Sequence, residues 1–272
     1  MSFFARLKFG WHLAMDSVGV LRKDPELLAF PLVAGVAGTV YLVLLLGGSS
    51  LVVGTESGPL AWVVLFALYL GSTFIASFFT AGLMHESREA FRGRDPSLRN
   101  GLAAAWRNVG TLFAWAVIAA TVGVLLRVIR GDDTVVGDIL AGLVSVAWGI
   151  LTYFVVPVVV FEDVSIGDAI RRSGETFKRT WGETAGAGFG VGLVSILFTV
   201  VGVGLAIGAF ALLGGSGAGF LVAAIFAVVV VLGTVLVGQA LTGIAKTALY
   251  VYATEGTQPA AFDDVDFRHT VR

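Results

Sequence analysis

The sequence predicts an all-α fold: a polytopic bundle of six transmembrane helices, with amphipathic helices at its cytoplasmic interface. Three observations carry that expectation. Of the 272 residues, 57% are hydrophobic and only 14% charged, where a soluble domain carries about 25% charge. Apolar runs recur between charged clusters, each near the roughly 20 residues a bilayer crossing needs. The basic residues also collect in alternate connectors, as they do when every second connector faces the cytoplasm.

The six expected spans are 27–53, 61–84, 111–129, 139–161, 185–213 and 220–252. Their orientation follows from Arg and Lys. The N-terminal segment carries Arg6, Lys8, Arg22 and Lys23. The second connector carries Arg88, Arg92, Arg94, Arg99 and Arg107. The fourth carries Arg171, Arg172, Lys178 and Arg179, and the C-terminal part Lys246, Arg268 and Arg272. Together these are 16 of the 18 basic residues. The first and fifth connectors have none, and Arg127 and Arg130 in the third are offset by Asp132, Asp133 and Asp138. Both termini are therefore expected in the cytoplasm, with the chain in the cell (plasma) membrane. No cleavable signal peptide is expected, because the apolar stretch after the charged first 26 residues has spanning length.

The last span is long: 33 residues make roughly 50 Å of helix, against a hydrocarbon core of about 30 Å. It should tilt, bend near Gly238 or Gly243, or project into the cytoplasm. Lys246 then lies near the inner interface, where its ammonium can snorkel to water. Pro157, near the cytoplasmic end of the fourth span, removes one backbone bond and should kink the helix.

The chain is expected to form one integral membrane domain over 1–272, ending in a polar acidic tail at 254–272. A threefold pattern runs inside it. The stretches D95-P-S-L-R-N-G-L102 and D163-V-S-I-G-D-A-I170 share D-x-S-[LI]-x-x-[GA]-[LI]. The N-terminal S2-F-F-A-R-L7, with Trp11, aligns with Ser97, Leu98, Leu102 and Trp106. The third stretch has Gly174 at the tryptophan position, with Phe177 and Trp181 following. Three units are expected at roughly 1–84, 95–161 and 163–253, each an interfacial helix followed by a two-span hairpin.

The interfacial helices have a periodic basis. In the third, Ile166, Ile170, Ser173, Phe177 and Trp181 recur at helical spacing, and Ser165 with Asp168 fits a capping box. In the first, Phe4, Leu7, Trp11, Met15 and Val18 share a face. Basic helices with aromatic residues suit the membrane surface. Trp11, Trp106, Phe177 and Trp181, with Arg171, Arg172, Lys178 and Arg179, are the expected interface contacts.

The run G182-E-T-A-G-A-G-F-G-V-G192 raises the question of a phosphate site. A dinucleotide fingerprint requires a preceding strand. Here a charged amphipathic helix precedes it and an apolar span follows, and no G-K-[ST] ending is present. At a period of four, Gly182, Gly186 and Gly190 share one face, as do Gly188 with Gly192, Gly204 with Gly208, and Ala34 with Gly38. Small residues four apart allow close helix contact in lipid. Packing is therefore the expected role, against a helix of the same chain or of a second copy.

The chemical inventory is thin. There is no cysteine, so thiolate metal sites and disulfides are excluded. His12, His85 and His269 lie in separate segments, and His85-Glu86 lacks the second histidine of H-E-x-x-H. No metal, cofactor or nucleic acid is expected, the last because net charge is only −1. Glu162 and Asp163 could act as an acid–base pair, though such residues commonly mark the water boundary. Gln239, Thr242 and Lys246 are the remaining candidates for substrate or lipid contact.

Residues 153–181, YFVVPVVVFEDVSIGDAIRRSGETFKRTW, and 20–31, VLRKDPELLAFP, resemble a set of uncharacterised six-span prokaryotic membrane proteins. That set is similar to the membrane domain fused to some glycerophosphodiester phosphodiesterases. The resemblance implies a helical membrane domain and carries no catalytic residues; nothing in these 272 residues corresponds to the phosphodiesterase domain. The expected function is non-enzymatic: self-association, or organisation of protein and lipid partners in the bilayer. The alternative is a channel or transporter for a neutral or lipidic substrate, and a lipid enzyme using Glu162 and Asp163 ranks third.

Overall fold

A computed structural model describes residues 3–52, 58–130, 135–213, 217–256 and 258–262, with the side chains of 3–7, 50–52, 135–136, 181–191, 193 and 195 outside the described set. The described residues form α1 (Phe3–Lys23), a 3₁₀ turn (Pro25–Leu28), α2 (Ala29–Val52), α3 (Pro59–Phe91), α4 (Leu98–Arg107), α5 (Val109–Arg130), α6 (Val135–Thr152), α7 (Val155–Glu162), α8 (Ile166–Arg179), α9 (Trp181–Leu213) and α10 (Gly217–Glu255). No strand occurs among them.

Among the described residues six stretches are long and apolar enough to cross a membrane: Pro25–Ser49, Pro59–Phe91, Val109–Arg130, Gly137–Glu162, Ile196–Leu213 and Gly217–Glu255. Each overlaps one expected span, so the chain is a multi-pass helical membrane protein. Large apolar side chains such as Leu44, Leu143, Leu212 and Ile225 are exposed along them. In water that surface would be an aggregation hazard; in lipid it is the solvated face.

The helix boundaries have local causes. Pro25 lacks the N–H that would continue α1, and it opens the 3₁₀ turn instead. At the end of α3, Gly93 adopts a φ of 73°, and its N–H donates to the Ala90 carbonyl at 2.9 Å. This left-handed glycine closes the helix without a Cβ penalty. The fourth span breaks near Pro157 as expected: α6 ends at Thr152 and α7 begins at Val155. By contrast α10 runs unbroken for 39 residues through Gly238 and Gly243, about 58 Å of helix.

Contacts group the chain into two units that interleave in sequence: residues 1–28, 87–95 and 180–272, and residues 29–86 and 96–179. In the first unit α1 packs along α9 and α10, burying Leu13 and Ala14 completely. The lower part of α10 is enclosed, with Ala240, Leu241, Ile244, Ala248 and Leu249 inaccessible, whereas Leu221, Val222, Val228 and Val229 above it are exposed. Arg88 and Arg92 pair with Glu255. Phe262 is fully buried, its ring edge-on to Phe91 at 5.2 Å.

In the second unit α5 packs against α6, and α8 against α6 and α7. Trp115 of α5 stacks on Trp148 at 5.8 Å, and its indole N–H donates to Ser77 of α3 at 3.1 Å. The contact grouping cuts across residues 163–253. α8 belongs with the helices before it, and α9 and α10 group with α1. The reason is local: α8 supplies the side chain that completes the break between α6 and α7.

Candidate functional site

Three helix joints hold most of the charged and polar chemistry. The first lies in the second unit, where α2, α3 and α4 meet. Glu86 is 1% exposed. Its carboxylate accepts from the Ser97 backbone N–H at 2.6 Å and contacts His85 Nδ1 at 2.9 Å. Ser97 is the N-cap of α4, yet its own hydroxyl makes no capping bond; Glu86 satisfies the backbone instead. A buried carboxylate needs such partners, because burying it unpaired is costly. Beside it the fully buried ring of Phe30 fills the gap between two glycines. A Cβ on Gly82 would lie 2.7 Å from that ring, and one on Gly101 only 2.4 Å from it.

The second joint is the break before α7. The Phe154 N–H, released by the break, donates to the buried Ser173 hydroxyl of α8 at 2.9 Å. Tyr153 meets Phe177 edge-on at 5.7 Å. Gly174 is buried, and a Cβ there would approach a terminal methyl of Leu151 to 2.8 Å. At its start Ser165 caps α8: the Asp168 N–H donates to Ser165 Oγ at 3.3 Å, and that hydroxyl donates to the Asp168 carboxylate at 2.9 Å. The Ser165 bond, then Arg171, holds the Asp168 carboxyl below its ordinary value. An open polar cavity of about 350 Å³ is lined by Glu162, Arg171, Arg172, Glu175, Thr176 and Arg179. Its charges are largely matched, Arg172 to Glu162 and Arg171 to Asp168 and Glu175.

The third joint, in the first unit, is the Arg88–Glu255–Arg92 cluster with an adjacent cavity of about 530 Å³ that includes Lys23, Asp24, Phe91 and Ala260. Burial pushes the Asp24 carboxyl up. Lys23 opposes that shift, and Glu26 and Asp95 add to it.

A fourth feature is apolar. Val33, Phe78, Phe79, Leu102, Trp106 and Arg107 border an open groove of about 550 Å³ between α2, α3 and α4, with Ala103 on its rim.

The residues singled out in the sequence distribute as follows. Trp11 is 38% and Trp106 68% exposed, and Arg171, Lys178 and Arg179 are exposed as well. Phe177 departs from the expectation: it is buried against Tyr153 rather than turned to the interface. The Trp181 side chain lies outside the described residues. Glu162 is tied to Arg172, while Asp163 ends α7 in the left-handed conformation with φ 47°. Gln239 and Thr242 are exposed on α10, and the Thr242 hydroxyl donates to the Gly238 carbonyl at 2.8 Å. Lys246 is half-buried and engaged. Among the described residues no three of His, Asp and Glu gather as metal ligands.

The glycines divide by their surroundings. Gly182, Gly186, Gly188 and Gly190 are helical, but their surroundings lie outside the described residues. Gly38, Gly192, Gly204 and Gly208 have open space where a Cβ would stand, and Ala34 is half-buried. Within the chain, α9 instead turns Gly202 and Ala206 inward. Both are buried, and a Cβ on Gly202 would lie 3.0 Å from Thr234 and Val230 of α10. The small-residue spacing was legible, but the contacting pair is offset by two residues, about 200° around the helix. Gly71 was missed too: a Cβ there would overlap the Tyr41 ring at 2.1 Å, and the Tyr41 hydroxyl donates to the Ala67 carbonyl. No spacing in the sequence marks Gly71, because it answers to a single ring on another helix.

No curated protein and no solved structure matches the chain. A family model does, over residues 59–260, from α3 through the segment after α10. By that match the chain belongs to the family of unknown function DUF6159.

Proposed function

We propose that this is a non-enzymatic membrane protein, with both termini in the cytoplasm of its cell, that self-associates or organises protein and lipid partners. The observation that carries the reading is where its charged groups go. Glu86, Glu162, Arg172, Arg88 and Glu255 bind one another or backbone groups at helix joints. They act as structural fasteners, each linking two segments. The outward glycines Gly204 and Gly208 leave a flat strip on α9 that a second helix could approach closely. The distribution of 16 of 18 basic residues supports the cytoplasmic termini.

Native mass spectrometry of the full chain, gently released from its own membrane, tests this. A defined oligomer or a stoichiometric protein partner is expected. Gly204→Ile with Gly208→Ile should dissolve an oligomer built on that strip. A strict monomer that brings nothing with it would end the proposal. A reporter enzyme fused to the C-terminus and active outside the cell would overturn the topology.

A further inference from the structure

The groove between α2, α3 and α4 has the composition and position of a lipid site. Its walls are Val33, Phe78, Phe79 and Leu102, and its rim is Trp106 and Arg107. Three features argue for a phospholipid rather than bare contact with the bilayer. First, the groove has a defined depth. Val33 lies one turn inside the start of α2, and Phe78 lies eight residues before the polar end of α3 at Glu86, about 12 Å along that helix. That is the level where headgroup gives way to acyl chain. Second, the rim carries an aromatic and a cation together. Trp106 is 68% exposed, with its ring edge-on to Phe78 at 6.2 Å, an arrangement favoured at the membrane interface. Third, Arg107 is exposed at the end of α4 and forms no ion pair among the described residues, whereas Arg171 and Arg172 on α8 are both paired. A guanidinium beside apolar walls at membrane depth calls for an anionic partner.

We propose that the groove holds one anionic phospholipid from the surrounding leaflet, its acyl chain along Val33, Phe78, Phe79 and Leu102 and its phosphate on Arg107. Step by step, the geometry produces the site. Phe30 wedged between Gly82 and Gly101 fixes α4 against α2 and α3, and Glu86 anchors its N-terminal end. α4 therefore meets the span pair at its start and leaves a gap towards Trp106. The proposal deepens the lipid half of the function proposed above and rests on that reading of the chain as an organiser of bilayer partners.

The test uses the full chain in mild detergent, titrated with phosphatidylglycerol or with phosphatidylcholine of the same chains and followed by native mass spectrometry. The wild type should retain one phosphatidylglycerol about tenfold more tightly than phosphatidylcholine. Arg107→Gln should abolish that preference, and Ala103→Trp, which fills the groove from its exposed rim, should remove both lipids. Circular dichroism of each variant checks that helix content is unchanged. Inorganic phosphate at matching concentration should not compete, because it lacks the chain. Equal retention by wild type, Arg107→Gln and Ala103→Trp would overturn the site, as would competition by inorganic phosphate. The same spectra separate the two proposals. A monomer retaining one phosphatidylglycerol keeps the site and removes self-association; an oligomer showing no lipid preference does the reverse.

Discussion

The α2–α3–α4 junction and the α9–α10 hairpin both rely on glycine, and they use it differently. At the junction, Gly82 and Gly101 make room for the ring of Phe30, and a methyl group at either would collide with it. In the hairpin, Gly202 meets the small ends of Thr234 and Val230, so two helices approach along a shallow seam. A Cβ on Gly204 or Gly208, two positions on, would meet none of the described residues within 4 Å. The difference teaches that a glycine in a membrane helix means little until its partner is known. Opposite an aromatic ring it is a socket with no tolerance. Opposite small side chains it is a seam, and on the outer face it is a surface.

That contrast can be broken at the wedge itself. Phe30→Ala should have the largest effect, a loss of about 3–5 kcal/mol, because a fully buried ring between three helices leaves a cavity that rigid helices cannot close. Unfolding of the full chain in mixed micelles would measure it, and a loss below that of the socket variants would disprove the wedge. Next in size is Gly101→Ala, expected to cost about 1–3 kcal/mol by overpacking. Gly204→Ala sharpens the comparison. With open space around it, the same added methyl should be neutral or stabilise by up to about 1 kcal/mol, as helix propensity favours alanine. Equal losses from both substitutions would erase the distinction.

Glu86→Gln probes the polar half of the junction. It keeps the shape and weakens the acceptor for the Ser97 N–H, for an expected cost of about 1–2 kcal/mol. Faster hydrogen exchange at the Ser97 amide, with little change at α9, would locate the effect. The smallest effect is at α8 and depends on pH. The folded Asp168 carboxyl lies below its ordinary 3.8, held there first by Ser165 and then by Arg171. Its contribution is therefore fully present above about pH 4 and is lost as pH falls through the depressed folded value. Exposure and salt screening keep it small. Asp168→Asn should flatten that acid limb in a helicity titration; an unchanged limb would remove the cap from the account.

Much of this was readable from the chain before any tertiary contact. Six spans, the break near Pro157, the cap formed by Ser165 with Asp168, and the exposure of Trp11 and Trp106 follow from hydropathy, from a proline lacking its N–H, and from local hydrogen bonding. These are short-range effects, complete within a turn or a span. The family match adds no activity to this.

What only the tertiary structure decided is which faces meet. Small-residue spacing at 204 and 208 is as good a pattern as that at 202 and 206, yet α10 covers the second pair. Phe177 has the spacing of a lipid-facing residue, yet Tyr153 encloses it. Glu86 looks like any carboxylate at a water boundary until α4 brings the Ser97 N–H to it. The physical reason is common to all three. In a helix whose every side is apolar, burial supplies no direction, since lipid and protein solvate the same side chains equally well. Packing shape and a few buried polar partners then choose the contact, and those belong to pairs of helices that the linear sequence does not join.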